Sequence, residues 1–389
     1  MFRPNSTRRK AALLAVLAAG VSFAATSYAA DPPRLKFKAE LPLQLPNEMN
    51  FGEIAGVAVN SKGHVFVFSR GDKVGPLGAA MAAQLLEFDQ NGKYVREIGR
   101  HLYAWGFAEK VRIDKDDNIW AIDKASNMVV RFTPDGRFAE HYARPEEPQE
   151  FHPFPSREVA PDLKAPKKAM GTFGEPTDIA WDSKGFSYVT DGYEMSRVQK
   201  WKDAKAVKAW GERGTGPGQF YIPHAIVIDS KDNVYVGDRG NGRVQVFDTD
   251  GKFQRQFTLM GQVPYYKVNP EKGNPNPLFM PDEPLKPRGD DPSAPKAFPD
   301  APPADLSAAA GAPWAMCITP GQNQVLFVGD SNPSRIYKVG LDGKVLGMLG
   351  EPGGKLGEFR VVHALACPDD RTLWVADMAH WRVQKITLQ

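Results

Sequence analysis

Six segments of this chain carry one strand-turn-strand pattern, and that repeat constrains the fold more than any other property of the sequence. Aligned on their first strands they read GEIAGVAVN (52–60), FAEKVRID (107–114), EPTDIAWD (175–182), IPHAIVID (222–229), APWAMCIT (312–319) and VVHALACP (361–368). Second strands follow as VFVFSRG, IWAIDKA, SYVTDGY, VYVGDRG, LFVGDSN and LWVADMA, and third strands as QLLEF, MVVRF, RVQKW, RVQVF, RIYKV and RVQKI. The fourth copy is the fullest. Between Phe220 and Phe247 an aliphatic run from Ala225 to Ile228 turns into Val234 to Val236, which turns at Asp238 to Gly242 into Val244 to Phe247. Short apolar runs broken by Asp, Asn and Gly clusters, with no helix between them, describe an antiparallel meander. One such sheet buries too little to stand alone. A unit of about 40 residues repeated in register is a propeller blade, so the expected fold is all-β, a six-bladed β-propeller.

The sixth copy stops at Gln389 after its third strand, and Arg34 to Leu43 has the alternation to supply the missing fourth. Closure by the N-terminal strand would hide the open sheet edges that template aggregation. Two insertions interrupt the repeats, at about 144–170 and 261–311, the second dense in proline, and a smaller one spans Gly71 to Ala83. Proline at that density prevents a sheet. A rim around one face and a surface excursion without chemistry are both open readings of such loops.

Residues 1–30 have the layout of a secretory signal: Arg3, Arg8, Arg9 and Lys10, an apolar run from Ala11 to Ala25, then small residues through Ala30. The expected mature chain is therefore 31–389, one propeller, periplasmic or secreted, with no membrane segment once the signal is cleaved. Taking those four cations from the 49 Lys and Arg leaves 45 against 46 acidic residues, so the precursor's basic balance argues for no nucleic-acid partner. The two cysteines, Cys317 and Cys367, exclude a disulfide framework or a cysteine metal cage. Burial as free thiols is the expected state, with one bridge between them still possible.

The chemistry lies in what each blade contributes at one place. At the position of His224 the six copies carry Ala55, Glu109, Thr177, His224, Trp314 and His363. First strands line a propeller's channel, so these residues form a ring. Glu109, His224 and His363 fall in alternate blades and converge from three directions. Two histidines and a carboxylate are a catalytic zinc set and also suit non-haem Fe(II). An Asp recurs at the end of the second strand (Asp123, Asp191, Asp238, Asp330, Asp377) and is expected to cap the turn that follows. Arg70, Tyr193 and Arg239 differ between blades near that turn, and two guanidinium groups beside a metal suit a carboxylate-bearing substrate.

The runs DRGNGRVQVF (238–247) and SRVQKW (196–201) look like NHL repeats. With Phe68 to Asp72, Pro176-Thr-Asp, Asp191-Gly-Tyr193, Pro223-His224 and His363, the chain resembles the peptidyl-α-hydroxyglycine α-amidating lyases. That resemblance implies zinc held by histidines in alternate blades, a tyrosine base, and cleavage of a carbinolamide into an amide and glyoxylate. Carried over, it makes Tyr193 the base, Arg70 its electrostatic partner, Arg239 the second arginine, and His224 and His363 two zinc ligands. The third histidine is Glu109 here, and Ala364 stands where the family's structural calcium has an acidic neighbour, which argues against calcium. The expected substrate is a small carboxylate-bearing or peptide-like molecule. The competing expectation is a non-catalytic exported propeller that binds a protein, peptide or glycan.

Overall fold

A computed structural model describes residues 32–71, 83–143, 170–260 and 306–389. The signal-like segment 1–30 and most of the three insertions lie outside the described residues. Among the described residues twenty-four strands pair into six four-stranded antiparallel sheets, each a blade in which sequence neighbours are hydrogen-bonded neighbours. The exception closes the ring. Phe37–Glu40 pairs antiparallel with Arg382–Leu388, Phe37 opposite Leu388 and Glu40 opposite Lys385, so the N-terminal strand completes blade six. No α-helix occurs among the described residues.

The core lies between blades. Phe66, Phe68, Leu85, Trp105, Val111 and Phe132 pack blade one on blade two, all essentially inaccessible. Equivalent clusters join the other neighbours, as where Tyr188, Phe220, Val236 and Phe247 pack blade three on blade four. Each blade is apolar on both faces because both are covered, which is why its inner strands read as nearly continuous hydrophobic runs rather than a clean alternation.

The recurring Asp does more than cap the turn that follows. In blades two and five its carboxylate does accept a backbone N–H from the residues after it, Ser126 to Asp123 and Arg335 to Asp330, and in every blade that carries it the carboxylate also accepts one from the segment that enters the same blade. The pairs are Gly106 with Asp123, Gly174 with Asp191, Tyr221 with Asp238 and Arg360 with Asp377, each 17 residues apart. In blade five the pair is Gly311 with Asp330, 19 apart. Blade one uses the Ser69 hydroxyl for the same bond to Gly52. The group thus fixes where each first strand begins.

Buried charges fill the axis below that point. Arg112, on the first strand of blade two, donates twice to Asp178 of blade three at 2.6 and 2.8 Å, and also to the carbonyls of Met316 in blade five and Leu365 in blade six. Asp178 in turn accepts from Ile226 N of blade four. Lys110 Nζ, fully buried, donates to the His363 carbonyl at 2.8 Å. Three side chains therefore tie five blades together across the channel.

Cys317, in the first strand of blade five, and Cys367, just past the end of the first strand of blade six, form a disulfide. This corrects the expectation of free thiols. The two positions are neighbours where adjacent first strands approach near the axis, with Cα atoms 6.0 Å apart, within the span a bridge requires. The bridge lines a cavity at the far mouth of the channel, beside Val57, Arg112 and Ile226.

Candidate functional site

The ring residues owe their orientation to a backbone irregularity. Where the first strand pairs with the second, the register shifts across Ile54/Gly56, Ala108/Lys110, Pro176/Asp178, Pro223/Ala225 and Val362/Ala364. The skipped residues are Ala55, Glu109, Thr177, His224 and His363. A β-bulge leaves its extra residue out of the ladder and re-aims the side chain. Blade five lacks the shift; Trp314 sits just before the strand Ala315–Ile318 and donates its N–H to the Gly329 carbonyl.

Glu109, His224 and His363 are brought together and almost completely buried, and one ligand atom from each lies within 4.8 Å of the other two. His224 Nδ1 is 2.7 Å from the Trp314 carbonyl, and His363 Nδ1 is 2.7 Å from the Ala55 carbonyl. A carbonyl only accepts, so both rings carry their hydrogen on Nδ1 and turn the Nε2 lone pair inward, the arrangement of metal-ligating histidine. Glu109 Oε1 lies 3.0 Å from His224 Nε2 and 3.6 Å from His363 Nε2, yet has no hydrogen bond.

The titration pattern agrees. Burial, then the Arg239 cation, pushes His224 down to about 4, and burial with Lys110 nearby pushes His363 well below the usual imidazole range. Burial opposes ionisation of Glu109, but the facing His363 and His224 and the Arg70 guanidinium outweigh it and hold the carboxyl well below the usual carboxylate range. At neutral pH two neutral imidazoles and a carboxylate thus direct electron pairs at one point. Removed from water, such a convergence is unfavourable unless a cation compensates it.

Tyr193 stands at the edge of this cluster, its hydroxyl 3.2 Å from His224 Nε2. Arg239 Nη1 donates to that hydroxyl at 3.3 Å, while its Nε donates to Ser307, at the end of the second insertion. Arg70 is placed differently from its implied role as the tyrosine's partner. Its Nη2 is 3.4 Å from Glu109 Oε2, its Nη1 donates to Glu53 at 2.8 Å and its Nε to the Ala108 carbonyl, so it orients the carboxylate rather than the phenol.

One residue at the site is not among those singled out from the sequence. Lys124 follows Asp123 as Arg70 follows Ser69 and Arg239 follows Asp238. The backbone N–H of each bonds to the carbonyl two residues before its blade's ring position: Arg70 to Glu53, Lys124 to Phe107, Arg239 to Ile222. Position in the repeat was the signal, and blade two carries it in full.

With fold and site in view, the chain is a six-bladed β-propeller that carries an NHL repeat and resembles the amidating lyases. The NHL repeat family matches residues 220–247. The peptidylglycine alpha-amidating monooxygenase of Rattus norvegicus is 30% identical over 223 residues, 52% of this chain and 21% of the rat protein. Peptidyl-alpha-hydroxyglycine alpha-amidating lyase 1 of Drosophila melanogaster is 26% identical across 54% of this chain and 40% of its own length. NHL repeat-containing protein 3 of Homo sapiens is 29% identical across 53% of this chain and 56% of its own. The chain spans about a fifth of the rat protein's length. Among solved structures, a streptogramin B lyase matches with a TM-score of 0.51 at 13% identity, covering 91% of this chain and 98% of that one, a likeness of fold.

Proposed function

We propose that this chain is an exported, metal-dependent lyase of the amidating type, acting on an α-hydroxyamide or a related small hydroxylated carboxylate. One observation carries the reading: the Nε2 atoms of His224 and His363 and the unpartnered Oε1 of Glu109 converge beside the Tyr193 hydroxyl. Glu109, His224 and His363 would hold zinc, the donor set suiting Fe(II) as the alternative. When bound, the ion would supply Lewis-acid polarisation of a substrate hydroxyl oxygen.

Tyr193 would take the proton of that hydroxyl. The electrons of the O–H bond become the new C=O, the C–N bond breaks onto nitrogen, and the nitrogen takes up a proton. The products are an amide and a glyoxylate-type carbonyl acid, with no change of oxidation state overall. Arg239 favours the phenolate through its contact with the Tyr193 oxygen. Arg70 keeps Glu109 ionised and oriented, which supports a monodentate ligand through the oxygen left free.

The residues present do not fit calcium. Ala364 offers no oxygen in its side chain, and the axis already carries Lys110 and Arg112 against its carbonyls. Export has the support of the Cys317–Cys367 bridge, since disulfides persist in oxidising compartments.

The test is elemental analysis of the purified mature protein together with turnover of an N-acyl-α-hydroxyglycine. About one zinc or iron per chain with amide release is expected, and Tyr193→Phe should keep the metal while turnover falls roughly 10²–10⁴-fold. No metal and no turnover would overturn the reading. The 3.0 Å Glu109–His224 pair would then be a self-contained contact in a binding propeller.

A further inference from the structure

The site described above is bordered by an arc in which cations and aromatic rings alternate. Arg70 lies 3.8 Å from the centre of the Phe107 ring. Lys124 Nζ lies 5.2 Å from the same ring and 3.8 Å from the Tyr193 ring. Arg239 follows, 5.1 Å from Tyr193 and 4.2 Å from Trp314. Trp314 in turn packs against both histidines. Three positive charges therefore face one buried ring, and an arrangement of that kind selects an anion.

The three cations are not equally committed. Arg70 uses all its nitrogens on Glu53, Ala108, Met378 and Glu109. Arg239 is engaged with Ser307 and Tyr193. Lys124 makes no side-chain hydrogen bond among the described residues. Its one carboxylate neighbour among the described residues, Glu175 Oε2, stands 4.0 Å away, and the lysine side chain is 21% exposed, whereas the ring of Glu109, His224 and His363 is buried. An ammonium resting on an aromatic face, fixed at its backbone by the Phe107 carbonyl, is positioned yet unfilled.

We propose that Lys124 receives the carboxylate of the substrate and so makes this site selective for hydroxylated carboxylates over their neutral amides or esters. This rests on the metal-lyase reading for the identity of the substrate, but it makes a separate claim about charge. A carboxylate on Lys124 would lie beside the Tyr193 ring, whose hydroxyl is 3.2 Å from His224 Nε2. Loss of one charge-assisted contact costs roughly 10–100-fold in binding.

The experiment compares wild type, Lys124→Met and Lys124→Arg, as purified with native metal, on N-benzoyl-α-hydroxyglycine and its methyl ester, alongside calorimetric binding of glycolate. The expected result for Lys124→Met is a KM for the acid raised about 10–100-fold with kcat little changed, no change for the ester, and glycolate binding weakened to match. Lys124→Arg should recover most of the loss, and metal content should be the same in all three. Equal glycolate affinity in wild type and Lys124→Met, or equal loss for acid and ester, overturns the assignment while leaving the lyase reading intact. Lys124-dependent glycolate binding without turnover supports the anchor and overturns the lyase reading. Absence of both turnover and glycolate binding in wild type overturns both.

Discussion

Blades two and four are the same object at the level of backbone and opposite objects at the level of charge. Each bulges at the second residue of its first strand, across Ala108/Lys110 in one and Pro223/Ala225 in the other, and each exits its second strand through an Asp followed by a cation. Yet the bulged residue is Glu109 in one blade and His224 in the other, and the cation is Lys124 or Arg239. Blade four presents a neutral imidazole with a guanidinium beside the phenol. Blade two presents a carboxylate held by the Arg70 of its neighbour and an ammonium over the phenol's face. The repeat conserves where a side chain points, and the chemistry resides in which side chain it is.

The sharpest way to break the comparison is to exchange the ligands. His224→Ala removes one of two inward Nε2 atoms and should abolish tight metal binding, a loss exceeding the roughly 10–100-fold that outer partners cost. Glu109→His supplies an imidazole from the same bulge and should retain metal. Elemental analysis after exhaustive dialysis decides both, and metal kept by His224→Ala would remove His224 from the centre. Next in size is the link between these blades, which runs from Arg112 through Asp178 to Ile226 N. Arg112→Met leaves Asp178 as a buried unpaired charge and should cost about 3–5 kcal/mol of stability in denaturant unfolding. A change under about 1 kcal/mol would mean the axis is solvated. The smallest effect sharpens the difference in how the two ligands are supported. Arg70→Met removes the cation beside Glu109, along with its contacts to Glu53 and the Ala108 carbonyl, and should weaken metal about 10–100-fold without unfolding the protein. An unchanged metal affinity would return Arg70 to the substrate side.

Much of this was legible because the repeat makes position meaningful. The six copies fix blade number, the truncated last copy fixes closure by Phe37–Glu40, and the ring of Glu109, His224 and His363 follows from register alone. What escaped depends on distances between blades. Cys317 and Cys367 occupy almost equivalent positions, but only the approach of two neighbouring first strands brings their sulfurs together. Arg70 is long enough to reach forward into the next blade, so its partner is set by packing across the interface rather than by the turn it stands on. The turn bond of the recurring Asp was legible and is present in blades two and five, but its other bond escaped for a related reason: it closes a loop 17 residues long, and sequence shows the recurrence but not that distant backbone amide.

The bulge has a wider consequence for how such a chain changes over time. A residue outside the ladder can be replaced without costing the sheet a hydrogen bond, so each of the five bulged blades carries one socket whose fitting is independent of the frame. Ala55 and Thr177 occupy two such sockets without a carboxylate or an imidazole, and Glu109 fills a third with a carboxylate where His224 and His363 bring imidazoles. A lineage of these propellers can therefore alter the charge and the donor atoms around one axis by single substitutions, while the six sheets that bear them stay as they were.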